Sequence, residues 1–256
     1  MEDLFKGFSF ENGEFVPMTD KEKDDWDTWR NKKKGNLNEI DGIDCSICNN
    51  KGVICDWRHG NYNMCSCMSR RIAYNRIRAS GLDLNLNFGS YSANYEWQIR
   101  IKNEAKSFAQ NPIGWFFIGG QSGSGKTHIC NATCIELMKT IPVKYLTWRL
   151  DASRLKMLMK EEDYFSKLQE ILDAECLYID DLFKGTITEA DLNLAFVILD
   201  YRGRYKKPTI ISSEKTINEI WEKDAALGGR INELCRYGGR YPLTIEGEDK
   251  NQRARM

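Results

Sequence analysis

Apolar positions along this chain follow two rhythms. Ile113-Gly114-Trp115-Phe116-Phe117-Ile118 is a short, nearly unbroken apolar run, the pattern of a strand buried on both faces. Val143 to Arg149, Cys176 to Ile179, Pro208 to Glu214 and Tyr241 to Ile245 also read as strands. Between them the spacing turns helical. Ile129, Ala132, Thr133, Leu137 and Met138 give a rough helical spacing, and Leu192, Ala195, Phe196 and Leu199 sit at i, i+3, i+4 and i+7 within a helix over Thr188 to Tyr205. Ala152 to Leu172 reads as helix in two pieces broken around Glu161 to Asp163. Glu96 to Gln110, a short helix capped by Thr216, and Asp224 to Arg236 complete the set. Strands alternating with helices predict an α/β fold with a parallel sheet flanked by helices.

The first third breaks the rhythm. Residues 1–40 are polar, with a helix expected over Asp20 to Lys34 that puts Trp26 and Trp29 on one face. That pair is either local packing or a partner anchor. Gly35 to Asn38 reads as a break. A basic helix with Arg70, Arg71, Arg76 and Arg78 ends near Gly81; it suits DNA phosphates or a solvated face equally. Residues 83–95, rich in Asn, Ser and Gly, read as a linker. The expected organisation is an N-terminal adaptor at 1–82, a linker at 83–95 and a core at 96–256 whose polar tail from Glu246 frays.

Chemistry concentrates where the first apolar strand meets its helix. Gly120 to Thr127 fits G-x-x-x-x-G-K-[ST]. Glycines let the backbone N–H groups close around phosphates, and the following helix aims its positive end at them. The candidate nucleotide contacts are Gly120, Gln121, Ser122, Gly123, Ser124, Gly125, Lys126, Thr127 and His128. Lys126 reaches the terminal phosphates, and the Thr127 hydroxyl can ligate Mg²⁺. The strand Cys176-Leu177-Tyr178-Ile179 ends in Asp180-Asp181. Asp180 would hold Mg²⁺, largely through water, and Asp181 would orient or activate an attacking water.

Composition narrows the partners. The 256 residues are 41% hydrophobic and 29% charged, and Lys+Arg and Asp+Glu are both 37, for a formal net charge of +0. A strong polyanion binder is excluded; any nucleic-acid surface must be a local patch. No apolar run approaches the roughly 18 residues of a membrane span, so no membrane partner is expected. The acidic start, Met1-Glu2-Asp3-Leu4-Phe5, has no signal-peptide core, which predicts a cytoplasmic protein. In a reducing compartment, cysteines read as thiols or metal ligands. Cys45-x₂-Cys48 and Cys65-x-Cys67 suit a closed, structural Zn²⁺ site, with Cys55 and His59 between them as alternative ligands.

The order of these parts resembles the DnaC/DnaI family of helicase loaders, which are AAA+ ATPases. The resemblance runs roughly from Asp44 to Arg253. It rests on the cysteine pairs with the basic helix and Ser80-Gly81-Leu82, on Gly120 to Thr127, and on Ile179-Asp180-Asp181. It also rests on Tyr201-Arg202 with Lys207 to Ser213, and on Gly229-Arg230-Ile231. The resemblance implies ATP and Mg²⁺ in a P-loop AAA+ core behind a small zinc-binding N-terminal domain that grips a hexameric replicative DNA helicase. It implies that Ala152 to Leu172 lines a path for single-stranded DNA, and that Arg230 is an arginine finger, which links activity to self-association through the ATP sites. Glu214 falls where a polar sensor, commonly Asn, would contact the γ-phosphate; a carboxylate there departs from the family pattern. The function implied is ATP-dependent loading of the helicase onto single-stranded DNA, with slow, assembly-dependent hydrolysis. Other classes are an IstB-like ATPase partner of a transposase, a small-molecule P-loop kinase, for which neither an acceptor pocket nor an arginine-rich lid is clear, and an ATP-gated binder that does not hydrolyse.

Overall fold

The computed structural model describes residues 8–11 and 14–252. The acidic start at 1–5 and the end of the tail at 253–256 lie outside the described residues. The chain divides into two compact units, 1–75 and 76–256.

In the first unit, β1 (Phe8–Glu11) and β2 (Glu14–Pro17) pair antiparallel. Helix α1 (Asp20–Lys32) opens on a capping box in which Thr19 and Glu22 satisfy each other's backbone N–H. Its length matches the expectation, yet it buries no side chain. Trp26 and Trp29 pack on each other, ring centroids 5.0 Å apart, and remain 40% and 47% exposed. After α2 (Leu37–Asp41), β3 (Val53–Asp56) and β4 (Asn61–Met64) form an antiparallel ribbon, and α3 (Cys67–Ala79) follows. The predicted basic face of α3 is not intact. Arg71 is buried; its guanidinium pairs with Asp41 and donates to the Ile43 carbonyl at 2.6 Å. A guanidinium tied into that network is not available to phosphates.

The second unit runs through α4 (Glu96–Gln110), β5 (Trp115–Gly120), α5 (Lys126–Leu137) and β6 (Val143–Thr147). It continues with α6 (Ser153–Met157), α7 (Asp163–Asp173), β7 (Cys176–Leu182), α8 (Glu189–Arg204) and β8 (Thr209–Ser213). It closes with α9 (Ile217–Lys223), α10 (Ala225–Tyr237) and β9 (Leu243–Ile245). The sheet order is β6-β7-β8-β5-β9, every pair parallel. Side chains alternate across a strand, so Trp115 and Phe117 enter the core under α8 and α10 while Phe116 and Ile118 enter the one under α4 and α5. The central strands β5 and β8 are buried at every position, whereas β6 and β9 are only partly so, which is why the central runs were the ones legible as buried. The sheet's lower edge is pinned by Arg202, fully buried, whose guanidinium donates to the carbonyls of Ile171, Leu172, Ala174 and Pro208 and to Thr209 Oγ1.

Residues 83–95 are not a free linker. The Asn131 side chain on α5 donates to the carbonyls of Asp83 and Leu86 at 2.7 and 2.8 Å, and Tyr91 is buried. The Asn and Ser residues make tight local turns, with Asn87 Oδ1 accepting from the Gly89 and Ser90 N–H groups. The same residue types that suggested flexibility build a fixed cover over α5.

Candidate functional site

The phosphate-loop sequence leaves β5 at Gly120 and enters α5 at Lys126, so the loop lies at the carboxyl ends of the strands, where open parallel sheets bind ligands. Gly120, Gly123 and Gly125 have φ of 107°, 74° and 89°, a region closed to most side chains. At Gly120 a Cβ would also strike the Ile245 carbonyl oxygen. The loop is braced from the far end of the chain: Gln121 N–H donates to Ile245 O at 2.7 Å and Gln252 N–H to Gly123 O at 3.1 Å. Ser124 Oγ closes the loop on the Gln121 carbonyl at 2.7 Å.

A cavity of about 430 Å³ opens over this loop, lined by Leu86, Ser122, Gly123, Gly125, Lys126, Thr127, His128, Asp181, Lys184, Glu214 and Gln252. Lys126 Nζ folds back onto the Gly120 and Gln121 carbonyls at 2.9 and 2.7 Å, and burial pulls its ammonium below the usual lysine value. His128 Nε2 lies 3.1 Å from the Asn87 carbonyl and 3.2 Å from Ser90 Oγ, with its ring edge-on to Tyr91. Gly120, Gln121, Ser124 and Asp180 do not line the cavity; they hold the residues that do.

Asp180 is the most heavily hydrogen-bonded carboxylate of the site. Thr127 Oγ1 at 3.2 Å, Tyr178 OH at 2.6 Å and Ser212 Oγ at 2.6 Å donate to Oδ1, and Tyr145 OH donates to Oδ2 at 3.1 Å. Burial beside this carboxylate pushes the Tyr145 phenol up to about 12, so it stays a donor. The juxtaposed Thr127 hydroxyl and Asp180 carboxylate are hard oxygen donors, which fits Mg²⁺ held partly through water.

Asp181 begins a strained turn. Asp181 and Phe183 have φ of 56° and 62°, a conformation that costs a non-glycine residue on the order of 1 kcal/mol or more. The turn is fixed on three sides. Asp181 N–H donates to Ser212 Oγ, Ser213 Oγ donates to the Leu182 carbonyl, and the buried Phe183 ring packs edge-on to Trp148 at 5.5 Å. Its result is to fold Lys184 back over the carboxylates. Lys184 Nζ is 2.6 Å from Asp181 Oδ2 and 3.7 Å from Glu214 Oε1. Lys184 and Gln252 were not singled out from the sequence. A lysine three residues beyond the carboxylate pair, just before Gly185, was the available signal for the first.

Arg230 stands apart from this cavity. It pairs with Asp200 at 2.6 Å and with Glu233 at 3.6 Å. Of the cationic residues in Ala152 to Leu172, Lys156 pairs with Asp191, Lys167 with Glu170 and Arg154 with Asp151. Met157 and Phe165 are 80% and 76% exposed in the same segment.

In the first unit, the sulfurs of Cys45, Cys48, Cys65 and Cys67 lie within 4.8 Å of one another. The Cys45–Cys65 and Cys48–Cys67 sulfur distances are 3.8 and 3.6 Å, close to the edge of a tetrahedron built on Zn–S bonds of about 2.3 Å. Asn49, Asn50 and Gly52 take positive φ, forming the knuckle that lets the Gly52 N–H donate to Cys48 Sγ at 3.2 Å. Burial pushes the Cys48 thiol up, but this N–H and the neighbouring sulfurs outweigh it and bring it to about 6. The donor set fits a closed zinc site. Cys55 and His59, the alternative ligands, are outside the cluster; His59 pairs with Asp56 instead.

Comparison with known proteins agrees with this geometry. The profile of the family described as IstB-like ATP binding protein matches residues 70–231. The phage-like element PBSX protein XkdC of Bacillus subtilis (strain 168) is 30% identical over 238 residues, covering 80% of this chain and 83% of that protein. The replicative helicase loader DnaC of Escherichia coli (strain K12) is 23% identical over 177 residues, covering 67% of this chain and 71% of DnaC. A crystal structure of the DnaC helicase loader superposes with a TM-score of 0.52 at 25% identity, covering 64% of this chain and 98% of that one. No helix of the described residues is long and apolar enough to cross a membrane.

Proposed function

This chain belongs to the IstB-like ATP binding protein family, and from that membership we propose that it is an ATP-dependent loader of a hexameric replicative DNA helicase onto single-stranded DNA. Proteins of this family bind ATP and are generally ATPases. The observation that carries the reading is a phosphate-loop cavity with an intact carboxylate pair, in a chain similar to DnaC over 177 residues.

In this reading Lys126 leaves its own loop carbonyls for the phosphates of ATP, and Gly120 to His128 cradle them. Thr127 and Asp180 hold Mg²⁺, which supplies neutralisation of phosphate charge. Asp181 orients the attacking water. Arg230 reaches the site of a neighbouring copy, where a guanidinium stabilises developing charge, so turnover is slow until copies assemble. The cysteine cluster holds Zn²⁺ as a structural staple of the N-terminal unit, and that unit grips the helicase. A second reading, an ATPase partner of a transposase, is favoured by the family description alone. The matched residues begin after the cysteine cluster, a part such a partner would not need.

The test is size-exclusion chromatography with light scattering on this protein mixed with replicative helicase hexamers, with and without ATP and single-stranded DNA. The expected result is a stoichiometric complex whose nucleotide dependence vanishes in Lys126→Ala and which is lost when residues 1–80 are deleted. Intact ATP binding without any helicase complex would overturn the loader reading in favour of the transposase partner.

A further inference from the structure

The cavity holds a cation that the phosphate-loop pattern does not predict. Lys184 lines it together with Lys126, and the two ammonium groups are held differently. Lys126 is tied to carbonyls, whereas Lys184 bridges two carboxylates, Asp181 at 2.6 Å and Glu214 at 3.7 Å. An ammonium has a further N–H beyond those two partners, and Lys184 lines the cavity over the phosphate loop. Glu214 follows β8 directly, beside the turn that carries Lys184. Alone, a carboxylate in that place would repel a terminal phosphate. With Lys184 beside it, the pair is neutral overall and sets an ammonium group at the cavity wall.

The backbone explains why the charge is there. The Asp181–Lys184 turn closes on itself through the Lys184 N–H to the Asp181 carbonyl at 3.0 Å, with both Asp181 and Phe183 in the left-handed region. Burial of Phe183 and the Ser213–Leu182 hydrogen bond keep it so. A relaxed exit from β7 would need none of this; its outcome is to set a lysine over the carboxylate proposed to orient water.

We propose that Lys184, carried by Glu214, reads the γ-phosphate: when a nucleoside triphosphate enters, the ammonium moves from Asp181 to the terminal phosphate and frees the Asp181 carboxylate, whereas a nucleoside diphosphate leaves the Lys184–Asp181 pair closed. The inference rests on the reading of this cavity as the ATP site. It assigns to Lys184, held between Asp181 and Glu214, the discrimination between a triphosphate and a diphosphate. The coupling is between recognition and chemistry: Asp181 is held by a cation until the group to be attacked has arrived.

Calorimetric titration with Mg²⁺ and either ADP or a non-hydrolysable ATP analogue tests this on the full chain. In Lys184→Gln, affinity for the triphosphate analogue falls about tenfold or more while ADP affinity stays within about twofold, because a charge-assisted hydrogen bond is lost only with the γ-phosphate. Lys184→Arg, which keeps the charge, recovers part of the triphosphate affinity. Glu214→Gln removes the carboxylate that carries Lys184 and narrows the preference for the triphosphate over ADP, in the same direction as Lys184→Gln and by less. Equal losses for both nucleotides in Lys184→Gln, or no loss for either, would overturn the assignment while leaving the ATP site standing. A wild-type protein that takes up neither nucleotide would overturn the ATP-site reading, and the assignment with it.

Discussion

If the cysteine cluster holds Zn²⁺ as proposed, stripping the ion is expected to unfold the N-terminal unit and leave the nucleotide site working. Among the described residues, the buried apolar side chains of 1–75 are Ile43, Cys48, Cys55, Cys65 and Ala73, two of them cluster cysteines, and α1 buries nothing. At about 0.05–0.15 kcal/mol per residue, a 75-residue unit has a net stability of about 4–11 kcal/mol. A structural zinc contributes about 10–16 kcal/mol in zinc-finger peptides, as much as the whole balance or more. Its removal also leaves Cys48 and Cys65 buried without the ion that holds them together. The assay is zinc release to a colorimetric chelator, followed by near-ultraviolet circular dichroism of Trp26, Trp29 and Trp57 and by amide exchange. Protection should disappear across α1, β3 and β4 and persist in β5, β7 and β8, with ADP affinity unchanged. Substoichiometric zinc in freshly reduced protein, or a chelated protein that keeps its dichroism and its protection over 20–67, would refute the reasoning.

Other outcomes follow from single side chains. Arg202→Met should cost about 3–4 kcal/mol, because buried carbonyls of Ile171, Leu172, Ala174 and Pro208 lose their shared donor; a urea-unfolding loss below about 1 kcal/mol would contradict that. Arg230→Ala should lower the unfolding free energy by less than about 1 kcal/mol, since Asp200 keeps Arg204 at 2.6 Å, yet reduce ATP turnover of the assembled protein about a thousandfold. Turnover that survives at high protein concentration would remove Arg230 from the chemistry. Burial alone would raise the Asp191 carboxyl, but Lys156 and Thr188 outweigh it and hold it below its ordinary value. Its contribution is therefore full above about pH 4 and is lost as pH falls through the lowered value, so Asp191→Asn should flatten the acid limb of stability against pH.

What could be read in the sequence was whatever a local rule dictates. The central strands β5 and β8 were visible because they are buried along their whole length, and the loop because glycine takes the positive φ at positions 120, 123 and 125 without steric cost. The cysteine spacing gave the four sulfurs, and the structure leaves out Cys55 and His59. What escaped depends on contacts distant in sequence or on rare backbone. Residues 83–95 read as a linker because Asn, Ser and Gly favour turns, and nothing local announces that Asn131 will bind those turns' carbonyls. Arg71 counted towards a basic face until Asp41, thirty residues earlier, proved to hold it in the interior. Lys184 had its position after the carboxylate pair as a signal, but its place in the cavity depends on two non-glycine residues adopting left-handed φ to fold it back. Arg230 sits on the predicted helix, but its pairing with Asp200 is a tertiary fact.

The brace from Ile245 and Gln252 onto the phosphate loop has a consequence for how the protein is made. A ribosome-bound chain that has emerged only as far as β8 already carries the glycines, Lys126 and both aspartates. It lacks the strand that accepts the Gln121 N–H and the backbone N–H that meets Gly123. Such a nascent chain has every residue of the nucleotide motif and no finished cradle. Nucleotide capture thereby becomes a late checkpoint in biosynthesis, passed only by chains translated through the last strand.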